Sequence, residues 1–370
     1  MKKGRRNFRN LKVKPHYASE ICGANSKLRK LHPPKSNYAA RLETYYSRKF
    51  GQVVTPIAIL KTLAVISSTF KDHVKLWILN VAPSRHLKSM TTLEQTRIFP
   101  RGRVVYAGSD FTIHSLRRNY ESGKRIDGKC LIINDVTLLL ASKAPRTKAR
   151  LIDALSELAS EGRYKYSDWK DTFEIKARFS LIANITPQSY LYNRNMLLGN
   201  TFTERCLVVH HALTDEEMSE ANLKRTQRAS MKTEWLKPTV DEADVEITKE
   251  DEVRFDEYAK RWRILGAYSS SSSLFDMIKS VVVAYAILSG HRKITAAEYR
   301  YLDILEPYLR NPLESVKLTI LELAHEGRSI RDICQILNQD YDKYRPFVSR
   351  TIYDYRRRGV LPLDQVQRVK

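Results

Sequence analysis

Five short, nearly unbroken apolar runs recur between positions 74 and 213: VKLWILNVA (74–82), GRVVYAG (102–108), KCLIINDV (129–136), ARFSLIANIT (177–186) and RCLVVHHAL (205–213). Apolarity without alternation suits strands buried on both faces, which is the condition of a parallel sheet covered by helices. Between the runs, TKARLIDALSELASEG sets Leu151, Ile152, Leu155 and Leu158 on one helical face, as a helix packed on such a sheet requires. The segment RYKYSDWKDTFEIK (163–176) reads as a hairpin ahead of the fourth run. After the acidic stretch 239–258 the pattern becomes helical, through LFDMIKSVVVAYAIL and TAAEYRYLDILEPYL to PLESVKLTILELAHEG, SIRDICQIL and PFVSRTIYDYRRRG.

The expected fold class is therefore α/β: a three-layer domain with a five-stranded parallel sheet, followed by helices. The expected divisions are a basic flexible arm over 1–40, the α/β domain over 41–238, a linker and helical lid over 239–312, and a helix-turn-helix or winged-helix module over 313–370. In that last module Arg350, Tyr353 and Arg356 share a helical face, with Arg357 and Arg358 adding charge at its end. Such side chains reach phosphates and base edges from a recognition helix.

Composition narrows the partner. The 370 residues carry 64 Lys and Arg against 41 Asp and Glu, a formal charge of +23. That excess points to a polyanion, because lysine and arginine neutralise phosphates and release counterions. Nucleic acid is the favoured partner on charge, a property that ribosomal proteins and binders of anionic membranes share. Cys22, Cys130, Cys206 and Cys334 are far apart and show no zinc spacing, so they read as reduced thiols. No apolar run approaches the roughly 18 residues of a membrane span, and the basic start lacks the apolar core of a signal peptide. A soluble cytoplasmic protein is expected. His210 and His211 lack a spaced third ligand and read as structural.

Candidate chemistry lies at the strand ends. Ala82, Pro83, Ser84, Arg85, His86, Leu87, Lys88 and Ser89 follow the first run and precede a helix. This is the order of a phosphate-binding loop, in which backbone N–H groups and a lysine hold phosphates and a Ser or Thr hydroxyl binds Mg²⁺. Ala82 and Leu87 occupy its glycine positions, so on this segment alone an ordinary strand-to-helix turn is the better reading. The downstream order favours the phosphate loop. CLIIND ends in Asn134-Asp135, where a P-loop ATPase carries its metal-orienting acid and catalytic carboxylate. FSLIANIT ends with Asn184 in a sensor position, and Arg205 directly precedes the fifth run.

Taken together, residues of about 50 to 290 resemble an AAA+ ATPase domain (a P-loop fold of the ASCE group), most like the minichromosome maintenance (MCM) helicase branch. The resemblance rests on the loop ending in Lys88-Ser89, on IFPRGRVVYAG, on the helix, hairpin and sensor strand of 150–186, on TERCLVV, and on SSLFDMIKSVVVAYAILSGHRKITAAEY as a helical lid. It implies ATP with Mg²⁺ held through Ser89 and Asp135, catalytic roles for Asp135, Asn184 and Arg205, and a homo-oligomeric ring of hexamer type. Arg205 would serve as a finger reaching a neighbouring copy. It also implies DNA contact by the hairpin through Lys165, Tyr166, Trp169 and Lys170, and work as a helicase or translocase. The departures are Ala82, Asn134 in place of an acid, and serine near Ser272 for the lid arginine, with Lys279 as a distant substitute. These keep open a second reading, a non-hydrolysing DNA-binding initiator, loader or regulator. Lys88 is expected to be an exposed loop cation.

Overall fold

The structure, a computed structural model, describes residues 37–107, 111–121, 126–136, 140, 145–168, 172–199, 201–226, 240–266, 268, 270–310 and 315–357. The basic arm lies outside them up to residue 36, as do Trp169, Lys170 and Arg358. The first element, α1, runs Tyr38–Phe50 and is capped by the Asn37 side chain, which accepts from the Ala40 N–H. Helix α2 (Thr55–Ser67) opens with Pro56 in its first turn, where the missing N–H costs nothing. It is buried on almost every side, including its polar residues Thr55, Lys61, Thr62 and Ser67.

The sheet follows. Its strands are β1 (Trp77–Val81), β2 (Val104–Ala107), β3 (Cys130–Ile133), β6 (Ser180–Ile185) and β7 (Leu207–His210), all parallel, in the order β2-β3-β6-β1-β7. Each falls within one of the five apolar runs. Every residue of β1, β3, β6 and β7 is buried, whereas edge strand β2 leaves Tyr106 exposed. The β7 edge is covered differently: the Tyr268 phenol accepts from the Val208 N–H at 2.8 Å and donates to the Cys206 carbonyl at 3.1 Å. An α/β fold with a five-stranded parallel sheet and helices around it, consistent with a P-loop domain, is what the chain adopts.

Helices α3 (Lys88–Ile98), α4 (Ile113–Glu121) and α5 (Pro145–Glu161) connect the first half of the sheet. The hairpin of β4 (Arg163–Ser167) and β5 (Thr172–Lys176) follows α5 through Gly162. That glycine has φ +69°, and a Cβ there would stand 2.8 Å from Cγ of Arg178. Only glycine fits the turn without a shift. The hairpin alternates exposed and buried positions, which a ribbon packed on one face requires. Helix α6 (Pro187–Gly199) and a 3₁₀ turn, Thr203–Arg205, lead to β7, and α7 (Asp215–Thr226) follows it.

The remaining helices are α8 (Lys249–Gly266), α9 (Ser272–Ser289), α10 (Ala296–Leu309), α11 (Ser315–His325), α12 (Ile330–Ile336) and α13 (Tyr341–Arg357). Helix α9 corrects one expectation, since by length and mean hydropathy it could cross a membrane. Here it is instead a core helix against α8, α2, α10 and α1, with Leu274, Ile278, Val281, Val282 and Leu288 fully enclosed. Capping boxes start α10 (Thr295 with Glu298) and α12 (Ser329 with Asp332). The last three helices enclose their own core of Ile320, Leu321, Ala324, Ile333, Cys334, Val348 and Ile352. Helix α13 begins well before the basic cluster and runs through Pro346.

Glu242 pins the start of the helical half to the loop before β1. Its carboxylate accepts from the backbone N–H groups of Lys71, Asp72 and His73 at 2.6, 3.1 and 2.9 Å, and it meets His73 Nδ1 at 2.7 Å. Burial pushes its pKa up, but the four donors outweigh that and hold it below the ordinary carboxylate range. A lowered folded pKa means the stabilisation is complete at neutral pH and lost as pH falls through that range. Glu242→Ala should cost about 1–3 kcal/mol in urea denaturation at pH 7. The gap to wild type should close in acid; a gap that persists unchanged at low pH would count against this cap.

Candidate phosphate-binding site at the strand ends

Strand order creates the site. The chain leaves β1 toward β2 at one edge and leaves β6 toward β7 at the other edge, although β1 and β6 are neighbours. Adjacent parallel strands whose connections run in opposite directions leave a crevice at their carboxyl ends, where ligands of open α/β sheets bind. Residues 82–87 and the ends of β3 and β6 meet at this crevice. Ala82 is buried and donates its N–H to the Ile185 carbonyl at 3.2 Å.

Of the two glycine positions expected from the spacing, Leu87 has the unusual backbone and Ala82 does not. Arg85 (φ 69°) and Leu87 (φ 60°) are left-handed, while Ala82 is not. Leu87 is buried and forms the N-cap of α3 without a capping side chain. Among the described residues no side chain caps the first N–H groups of α3, the condition in which a helix end receives an anion. Pro83 is half-buried, Ser84 and Arg85 are exposed, and Ser89 is half-buried in the first turn.

Lys88 is not the exposed cation expected of it. Only 9% of it is accessible, and its ammonium donates to the Ala82 carbonyl and, at 3.1 Å, to that of Pro83. The loop curls over the lysine, so its carbonyls replace water. Burial lowers the Lys88 pKa to about 8, with the negative charge of Asp135 opposing the fall. Asp135 is exposed. Asn134 accepts from Nδ2 of Asn184 at 3.2 Å. Lys88, Asn134, Asp135 and Asn184 are therefore neighbours, although they come from three separate runs of the sequence. Arg205 stands apart: it is half-buried in the 3₁₀ turn, its Nε has no partner, and among the described residues no hydrogen bond or ion pair joins it to this cluster. Lys279 pairs with Glu252 at 3.6 Å.

No protein-family model matches the chain, and no curated protein matches it. Among solved structures it is similar to a full-length MCM homolog from Methanopyrus kandleri. The identity is 14%, over 76% of this chain and 62% of that one, with a TM-score of 0.44. The fold described above rests on strand order and loop geometry, independently of that likeness.

Two participants were invisible to sequence reasoning. Lys61, in the middle of α2, is wholly buried and donates to the Lys88 carbonyl (3.0 Å), to Oγ1 of Thr91 and of Thr92 (both 2.9 Å), and to Oδ1 of Asn184 (3.3 Å). His211, after β7, bridges Oδ1 of Asn80 (3.1 Å) and the carbonyl of His86 (2.9 Å). His86 in turn accepts the Leu213 N–H on Nδ1 at 2.8 Å. Asn80 closes the circuit by donating to Asn184 at 3.2 Å. A lysine within an apolar helical run and a histidine at a strand end give no pattern that a linear reading can use. Burial drives the His211 pKa down to about 3, with the bond to the His86 carbonyl opposing the fall. The structural role expected for His211 is one of holding the loop; His210 is buried against Tyr190.

The DNA-facing expectations divide. Tyr166 is a correction: it lies on the inner face of the hairpin, stacked on Phe173 at 4.8 Å with His114 at its edge. Period-two alternation turns Tyr164 and Tyr166 inward and leaves Lys165 exposed. Arg350 and Tyr353 are both exposed on α13. Arg356 and Arg357 end that helix.

Replacing His211 by leucine should loosen the loop, because it strands the Asn80 amide and frees the His86 carbonyl. A loss of about 1–3 kcal/mol is expected by urea denaturation. Hydrogen exchange should accelerate over residues 84–88; unchanged exchange there would show that His211 does not hold the loop.

Proposed function

We propose that the chain binds ATP with Mg²⁺ at the β1–α3 loop and acts on DNA, in the manner of an oligomeric replication-type helicase or translocase. The observation that carries the reading is the meeting of an uncapped helix N-terminus, Lys88, Asp135 and Asn184 at the crevice between β1 and β6. The loop N–H groups of residues 83–89 and the Lys88 ammonium would take the phosphates. Ser89 and Asp135 would hold the metal, a fit supported by the exposure of Asp135 beside Lys88. Asn184 would orient the attacking water, and Arg205 would act across a contact with a neighbouring copy in a ring.

For DNA, the support is the net charge of +23 and the exposed basic and aromatic positions Lys165, Arg350 and Tyr353. The basic arm would add sequence-independent affinity, and residues 313–370 would serve as a helix-turn-helix or winged-helix reader. One observation favours the second reading, a non-hydrolysing initiator, loader or regulator. Asn134 stands where a metal-orienting acid is needed, and its carboxamide is already bonded to that of Asn184. An amide is a weaker metal ligand than a carboxylate, and this one has another partner.

Measuring ATP binding and turnover with and without single-stranded DNA distinguishes the two. Lys88→Ala should weaken ATP binding at least tenfold, about 1.4 kcal/mol or more, while keeping the far-UV circular dichroism of the wild type. Equal affinity in calorimetric titration would remove the site.

A second test concerns α13. Arg350→Ala with Tyr353→Ala should weaken duplex binding by about one to two decades at matched salt and single-strand binding less, since only a duplex offers a groove. Equal losses on both would exclude groove reading by this helix.

A further inference from the structure

Lys61 presents an energetic problem. Its side chain is completely enclosed, and among the described residues no carboxylate pairs with it. A buried ammonium without a counter-charge is among the costliest groups a fold can contain. Its burial and the nearby positive charge of Lys88 both pull its pKa well below the ordinary lysine value.

The hydrogen-bond geometry nevertheless suits an ammonium rather than an amine. Four oxygens surround Nζ, and none has a proton left to give it. The Lys88 carbonyl and Oδ1 of Asn184 are acceptors only. The Thr91 hydroxyl commits its proton to the carbonyls of Leu87 and Lys88, at 3.1 and 3.0 Å. That of Thr92 goes to the Lys88 carbonyl at 2.8 Å. Both hydroxyl oxygens therefore turn lone pairs toward Lys61. An ammonium fills its three donors here, whereas a neutral amine would aim its own lone pair at oxygen.

We propose that Lys61 is an internal cation of the phosphate site, placed beneath the loop so that a bound polyphosphate supplies the counter-charge the protein withholds. The inference rests on the nucleotide reading above and deepens it. Lys61 acts as a positioning residue, because it touches the loop helix through the Lys88 carbonyl and the sensor strand through Asn184 rather than the ligand itself. Its charge adds attraction for a polyanion in a site where screening by water is weak. It also ties Lys88 and Asn184 to one fixed point on α2.

This reading makes stability and binding move in opposite directions. A buried charge replaced by an apolar chain of similar volume often leaves a fold as stable or more so. Lys61→Met should therefore melt at or above the wild-type temperature in the absence of ligand, yet bind Mg-ATP at least tenfold more weakly. Lys61→Gln, which keeps donors but removes the charge, should lose affinity as well. Inorganic triphosphate serves as the second probe and should show the same loss, since the effect is on phosphate charge and not on the base. A purely structural lysine would lower the melting temperature of the methionine variant, and that result would overturn the proposal. Wild-type affinity in the glutamine variant would overturn it too. If the wild-type protein binds neither Mg-ATP nor triphosphate, the nucleotide reading itself fails; if it binds both and the variants match it, only the role of Lys61 fails.

Discussion

The carboxamide of Asn184 holds the strand ends together. It accepts from Asn80 on β1 and from Lys61 on α2, and it donates to Thr92 on α3 and to Asn134 after β3. Four separate segments thus converge on one enclosed side chain. A broken bond that leaves a buried polar atom with no other partner costs about 1–3 kcal/mol, whereas Oδ1, which accepts from both Asn80 and Lys61, keeps one donor when the other is lost. The network also sets the register of β6 between β1 and β3, because a slip of one residue would carry Asn184 to the opposite face of the sheet. Everything placed at the crevice depends on that register.

The β1–α3 loop is held without the glycines that phosphate-binding loops ordinarily use. Left-handed backbone at Arg85 and Leu87 costs about 1–2 kcal/mol at each residue. Enclosing the Leu87 side chain returns roughly 2 kcal/mol, and the bonds from His211 and His86 fasten the loop to β1 and β7. Packing and hydrogen bonds do here what conformational freedom does elsewhere. The consequence is a loop whose shape is set by the sheet behind it, with Lys88 folded beneath its own carbonyls.

Periodicity explains why much of this was legible in advance. The five strands sit inside the five apolar runs because a strand covered on both faces admits no polar alternation. The hairpin was legible for the opposite reason, its alternation being that of a ribbon with one face packed. That same alternation turns Tyr166 inward, so its phase mattered as much as its presence. Helix α9 shows the limit of composition: a membrane-length apolar helix and the central helix of an enclosed core look alike until their neighbours are known.

By itself, the sequence determined the class of fold, the order of its elements and the positions at which polar residues end buried strands. These are local properties, set by burial patterns repeating every two or every 3.6 residues. Tertiary structure alone decided which strand ends became neighbours, because strand order depends on crossovers that no local pattern encodes. It decided that Lys88 would be covered, that Arg205 would stand apart from the cluster, and that Lys61 and His211 would enter it. The physical reason is that a hydrogen bond between residues 61 and 184 exists only once the sheet has brought α2 and β6 together.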